Sequence, residues 1–88
     1  MKYRATVYRD DGEDAAVEAR GTDPVETLDE AVAAGRALAV TLAWPLWSGT
    51  VEAGEIVPWT PEPGVHLTEW QGDDYGTRAY FGPDWLDR

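Results

Sequence analysis

The 88-residue chain has no cysteine, one histidine (His66), one serine (Ser48) and only seven lysines and arginines against 17 aspartates and glutamates. Without cysteine there are no disulfides, thiolate zinc sites, iron–sulfur ligation or cysteine nucleophiles. The compartment is not fixed by that absence alone. A lone imidazole, set between Val65 and Leu67, has no partner at a spacing that suits general acid–base work. Ser48 lies in Leu46-Trp47-Ser48-Gly49-Thr50, which lacks the first glycine of a nucleophile elbow. Gly21-Thr22-Asp23-Pro24 precedes a helix but carries no Gly-Lys-Ser/Thr, so no phosphate loop is present. Asp10, Gly12 and Asp14 alternate like a calcium loop. Counted from Asp10, however, position six is Ala15 instead of glycine and position twelve is Gly21 instead of glutamate. Acids are abundant enough that any two of them form only a weak glycosidase-like signal. The expectation is a non-enzyme with no metal and no cofactor.

Long apolar runs are missing too. The longest nearly uncharged stretch, Ala37 to Val51, is broken by Pro45, Ser48 and Gly49. It is shorter than the roughly 18–20 apolar residues of a membrane span. The opening Met1-Lys2-Tyr3-Arg4-Ala5-Thr6 has no apolar region after its charges, so a secretory signal is not expected and the cytoplasm is. Scarce cations give a net charge of −10. That argues against direct binding to nucleic acid or an anionic membrane surface and is compatible with a basic protein partner.

What is present points to one small α+β domain spanning residues 1–88. A hydrophobic content of 43% with 11% aromatics opposes disorder. Residues 2–9 alternate, with Tyr3, Ala5 and Val7 on one face and Lys2, Arg4, Thr6 and Tyr8 on the other. Asp11-Gly12 suits a hairpin turn, after which residues 15–20 return with Ala15, Val17 and Ala19 inward. Asp23-Pro24-Val25-Glu26 has the form of an N-cap, an N1 proline and an acid at N3. Val25, Leu28, Val32, Gly35, Ala39 and Leu42 then recur on one helical face, widened by Ala31 and Leu38, predicting a helix over 24–41. Residues 48–59 read either as one strand bent at Gly54 or as a tight hairpin, with one long, irregular strand favoured. Pro58, Pro61 and Pro63 predict a surface loop over 58–64, because proline removes ladder donors. Residues 65–70 and 77–81 read as a second hairpin turning across 71–76. Trp85 and Leu86 are expected to fasten the tail. The resulting order is ββαβββ, an antiparallel β-sheet with a single α-helix packed on one face.

Two surface features stand out. Acids gather at 10–14, 23–30, 52–55, 73–74 and 84–87. Turns and helix starts are ordinary places for them, so a solubilising surface with no dedicated charged site competes with a negative docking face. Five tryptophans (Trp44, Trp47, Trp59, Trp70 and Trp85) are many for so small a core. They either compensate for the many alanines or serve as exposed anchors. Pro58 to Pro61 spells PxxP, without the flanking basic residue that strengthens such a ligand.

Met1-Lys2-Tyr3-Arg4-Ala5-Thr6-Val7, followed by Thr27-Leu28-Asp29-Glu30-Ala31, resembles the start of HicB-type antitoxins, over at most the first 42 residues. The resemblance implies a small acidic protein with a strand–helix–strand core that neutralises a basic RNase. Arg20-Gly21-Thr22-Asp23-Pro24 stands where that family has a Pro-Gly segment, and the family's DNA-binding tail has no counterpart here.

Together these features lead to the expectation of an acidic interaction protein that binds a basic macromolecule, of inhibitor, antitoxin or nucleic-acid-mimic type. The residues expected to bind are Asp10, Asp11, Glu13, Asp14, Glu26, Asp29 and Glu30 by charge, with Trp47 and Trp59 as aromatic anchors. The competing expectation is a binder of small ligands or peptides, with a tryptophan-lined groove between the proline-rich segment and the C-terminal hairpin.

Overall fold

The structure is a computed structural model that describes residues 1–9 and 18–83. The chain runs β1 (Lys2–Arg9), β2 (Ala19–Gly21), α1 (Leu28–Leu42), β3 (Trp47–Glu62) and β4 (Val65–Phe81). The four strands form one antiparallel sheet in the order β2-β1-β3-β4, with α1 across one face. This is the α+β class expected from the patterning, with four strands in the order ββαββ where six elements ending in βββ were anticipated. The turn expected at Asp11-Gly12, the strand residues 15–17 and the tail residues Trp85 and Leu86 lie outside the described residues.

Alternation in β1 sets the core. Ala5 and Val7 are fully buried and Tyr3 packs beside them, while Lys2, Arg4, Thr6 and Tyr8 occupy the other face. On β3, Val51 and Ala53 pair with Ala5 and Tyr3 and are buried on the same face. In β2 the register pairs Arg20 with Val7 and Ala19 with Tyr8. Ala19 therefore shares the open face and is exposed, a correction to its expected inward position.

The helix begins later than the Asp23-Pro24 signal indicated. Val25 is held in an extended bridge to Tyr3, each N–H donating to the other's carbonyl at 2.8 Å. That bond pair removes Val25 from the first turn. A second capping box then takes over. The Thr27 hydroxyl accepts from the Glu30 N–H and itself donates to the Glu30 carboxylate, both at 3.1 Å. At the other end Ala43 adopts φ 55° and donates to the Ala39 and Val40 carbonyls, closing the helix before Trp44-Pro45.

Small residues let α1 lie close on the sheet. Ala31, Gly35 and Ala39 are its buried positions, flanked by Leu28, Val32 and Leu38. Phe81 fills the gap that the glycines leave. A side chain at either Gly35 or Gly49 would collide with its ring. Trp47 meets the same ring edge-on, with centroids 5.8 Å apart. Arg36 closes the outside, donating to the Gly82 carbonyl at 2.7 Å with its guanidinium 5.9 Å from the Phe81 centroid.

Beyond Gly54 the sheet changes character. β1 accompanies β3 only from Trp47 to Gly54, and after that β3 and β4 continue as a two-stranded arm. The arm turns at Pro63-Gly64, where Gly64 has φ 85°, and the molecule reaches 49 Å in its long dimension. Residues 58–62 belong to this arm rather than to the expected loop. With a partner on one side only, half of the N–H groups of β3 have no ladder bond for proline to remove.

Residues 71–76 do not make the anticipated hairpin turn either. Glu52 pairs with Thr77 and Gly54 with Gly72, so the intervening residues of β4 bulge out opposite Ala53. Inside the bulge the Asp73 carboxylate accepts from the Tyr75 N–H at 3.1 Å and pairs with Arg78, whose guanidinium lies 5.1 Å from the Tyr75 ring centroid. Trp70 lies against the glycine pair at the root of the arm. A Cβ on Gly54 would stand 2.8 Å from its ring.

Candidate docking surface

The residues expected to bind a partner fall in separate places. Asp10, Asp11, Glu13 and Asp14 lie outside the described residues. Glu26, Asp29 and Glu30 are exposed around the start of α1. Of these, Glu26 is already committed to Lys2 in an ion pair. The hydrogen bond from Lys2, supported by its charge, holds the Glu26 carboxyl below the usual carboxylate range. Glu30 is tied into the Thr27 cap, although its side chain still faces water.

The two expected aromatic anchors separate as well. Trp47, at the start of β3, is half-buried against Phe81 and the core. Trp59, near the far end of the same 16-residue strand, keeps 44% of its surface exposed. Trp44 packs at the core margin and Trp70 is half-buried at the root of the arm. Trp85 lies outside the described residues.

Around Trp59 the arm collects an apolar and acidic surface. Cross-strand pairs place Trp59 with Leu67, Val57 with Glu69 and Glu55 with Gln71 on one face. Ile56 with Trp70 and Pro58 with Thr68 make the other. Ile56, Trp59 and Leu67 are each more than two-fifths exposed. Glu55, Glu62 and Glu69 are exposed beside them and form no ion pair among the described residues.

No lysine or arginine occurs between Arg36 and Arg78. The whole arm is therefore acidic, without a cation of its own. That gap in the sequence is the signal that would have located the arm. The acids were grouped by local clusters instead, and Glu62 and Glu69 belong to none.

The cations sit on the body. Lys2 pairs with Glu26, and Arg9 and Arg20 each reach Glu18 at 3.5 Å. Between arm and body a cleft of about 290 Å³ is bordered by Arg4, Pro24, Ile56, Thr68 and Trp70. The Trp70 indole N–H is buried and has no hydrogen-bond partner among the described residues. A second hollow, of about 490 Å³, lies by the bulge and is lined by Glu55, Asp73, Asp74 and Tyr75.

Among the described residues no group of three or more His, Asp or Glu side chains is placed to hold a metal ion, and no helix is long and apolar enough to cross a membrane. No family model, no curated protein and no solved structure matches the chain.

Proposed function

We propose that the protein is a non-enzymatic interaction module that binds a basic macromolecular partner through the β3–β4 arm. The observation that carries this reading is a projecting ribbon with three unpaired glutamates, exposed Ile56, Trp59 and Leu67, and no lysine or arginine. Two isolated strands are marginal in water, and large apolar side chains on them lack the cover a third element would give. Charge on the arm draws cations at a distance, while Trp59 and Leu67 supply apolar contact once a partner arrives. Relative to the sequence-based expectation, the weight moves from the helix start to the arm, with Trp59 kept as an anchor. An inhibitor, antitoxin or nucleic-acid mimic would use such a surface in the same way.

The test compares two triple variants of equal net charge. Glu55→Lys with Glu62→Lys and Glu69→Lys alters the arm, and Asp23→Lys with Asp29→Lys and Glu30→Lys alters the helix start. Binding of fluorescent polylysine at low salt is expected to weaken about tenfold or more for the arm variant than for the other, and to weaken for the wild type as salt rises. Equal weakening in both variants would mean that total charge matters and the arm does not.

A second reading, a small-ligand binder, draws on the cleft beside Trp70. Its volume is at the low end for small-molecule sites, and the unpartnered indole N–H offers one polar handle. A tryptophan fluorescence response to a small ligand that is insensitive to salt would favour this reading over the first.

A further inference from the structure

Sheet edges expose backbone donors and acceptors to any chain that can pair with them, and folded proteins usually block them with proline, lysine, bulges or shortness. Two of the edges formed by β3 and β4 are protected in that way. The outer edge of β3 in the arm carries Pro58 and Pro61, together with a register irregularity between Trp59 and Glu62. The body end of β4 is interrupted by the bulge opposite Ala53. The exception is β4 from Val65 to Gln71, which contains no proline, glycine or lysine.

The prolines also show which groups of β4 are open. Pro58 has no N–H to give Thr68, its cross-strand partner. Tyr3 exchanges both its bonds with Val25, so its neighbour pair Lys2–Gly54 is the bonded one between β1 and β3, and the two-residue period turns the Pro58 carbonyl away from β4. The Pro58–Thr68 pair therefore exchanges no bond, and the N–H and C=O of Thr68 point away from β3. The two-residue period extends this to His66 and Trp70. Among the described residues, no backbone hydrogen bond from Val65–Gln71 reaches an element other than β3.

We infer that the Val65–Gln71 edge of β4 accepts an extended cationic segment of the partner as an added strand. The inference rests on the arm being the docking surface and specifies how it docks. Side chains of the added strand alternate between two environments. On one face they lie beside Leu67 and Glu69, with Trp59 and Glu55 one strand further on. On the other they lie beside Thr68 and Trp70, with Ile56 beyond. The fitting segment therefore places lysine or arginine at every second position and apolar residues between. A second copy of this chain is the poorer occupant, because its arm brings more glutamates and no cation to meet them.

The experiment uses the full chain and a synthetic peptide alternating lysine and valine, with binding followed by fluorescence anisotropy at low salt. Two further peptides carry N-methyl groups on every second backbone nitrogen, one set on each edge of the extended strand. The unmodified peptide is expected to bind, and methylation on both edges in turn to discriminate, with one form binding at least about tenfold more weakly. Thr68→Pro, which copies the Pro58 arrangement and costs no bond to β3, is expected to weaken the unmodified peptide by a similar factor. If both methylated peptides bind as tightly as the unmodified one, the added strand is overturned while the acidic docking arm stands. If neither the alternating peptide nor polylysine binds the wild type, both fall. A dimer in sedimentation that Thr68→Pro dissolves would assign the edge to a second copy and overturn the cationic occupant.

Discussion

The body and the arm share the strands β3 and β4 and solve opposite problems. In the body, β3 and β4 lie under a helix whose contact positions are Ala31, Gly35 and Ala39, and one phenylalanine, Phe81, fills the remaining space. In the arm the same strands carry larger apolar residues, Ile56, Trp59 and Leu67, each more than two-fifths exposed. Burying the body takes close approach rather than bulk. On the proposed reading, the arm's apolar side chains serve contact with a partner more than folding.

The widest separation between the two regions should appear on truncating one aromatic in each. Phe81→Ala opens a cavity between Gly35 and Gly49 and is expected to cost about 3–5 kcal/mol in urea unfolding, enough to unfold much of the population. Trp59→Ala, at a partly exposed arm position, is expected to cost about 1 kcal/mol or less, while polylysine binding weakens severalfold. Equal losses of stability from the two changes would make the arm part of the fold's own core and erase the distinction.

A smaller effect sharpens where the body begins. Thr27→Ala removes the cap bond to the Glu30 N–H and should lower stability by about 1 kcal/mol, whereas Asp23→Ala should change it less. Measured by thermal unfolding, the reverse order would restore Asp23 as the cap.

The smallest effect concerns pH. Lys2 lowers the Glu26 pKa on folding, so the pair adds stability above the carboxylate's unfolded value. That contribution disappears as pH falls through the lowered folded value. Glu26→Gln should flatten the acid limb of the stability profile slightly and only at low salt. An unchanged acid limb would show that the pair adds nothing.

How far the sequence revealed these regions depends on how local the signal was. β1 and the helix body were legible because strict alternation and a three–four spacing each select one face. The start of α1 was misplaced because two capping signals stand in succession, Asp23–Glu26 and Thr27–Glu30, and only the tertiary bridge between Tyr3 and Val25 decides between them. The bulge was misread for a related reason. Gly72, Asp73, Asp74 and Gly76 are turn residues, and whether they reverse the chain or swell out of a strand depends on what Glu52 and Gly54 pair with. The arm's prolines correctly excluded a central strand, but a two-stranded ribbon was not considered. For the candidate surface, Trp59 was identified among the exposed anchors. Glu62, Glu69 and Leu67 were missed because the informative pattern was the missing cation across both strands rather than any cluster.

The most direct test of the docking arm is backbone hydrogen exchange on the full chain, with and without the alternating lysine–valine peptide. Added protection is expected in Glu55–Gln71, strongest in Val65–Gln71, while the amides of α1 stay unchanged. Protection appearing around Glu26–Glu30 instead, or no change anywhere in β4, would contradict it.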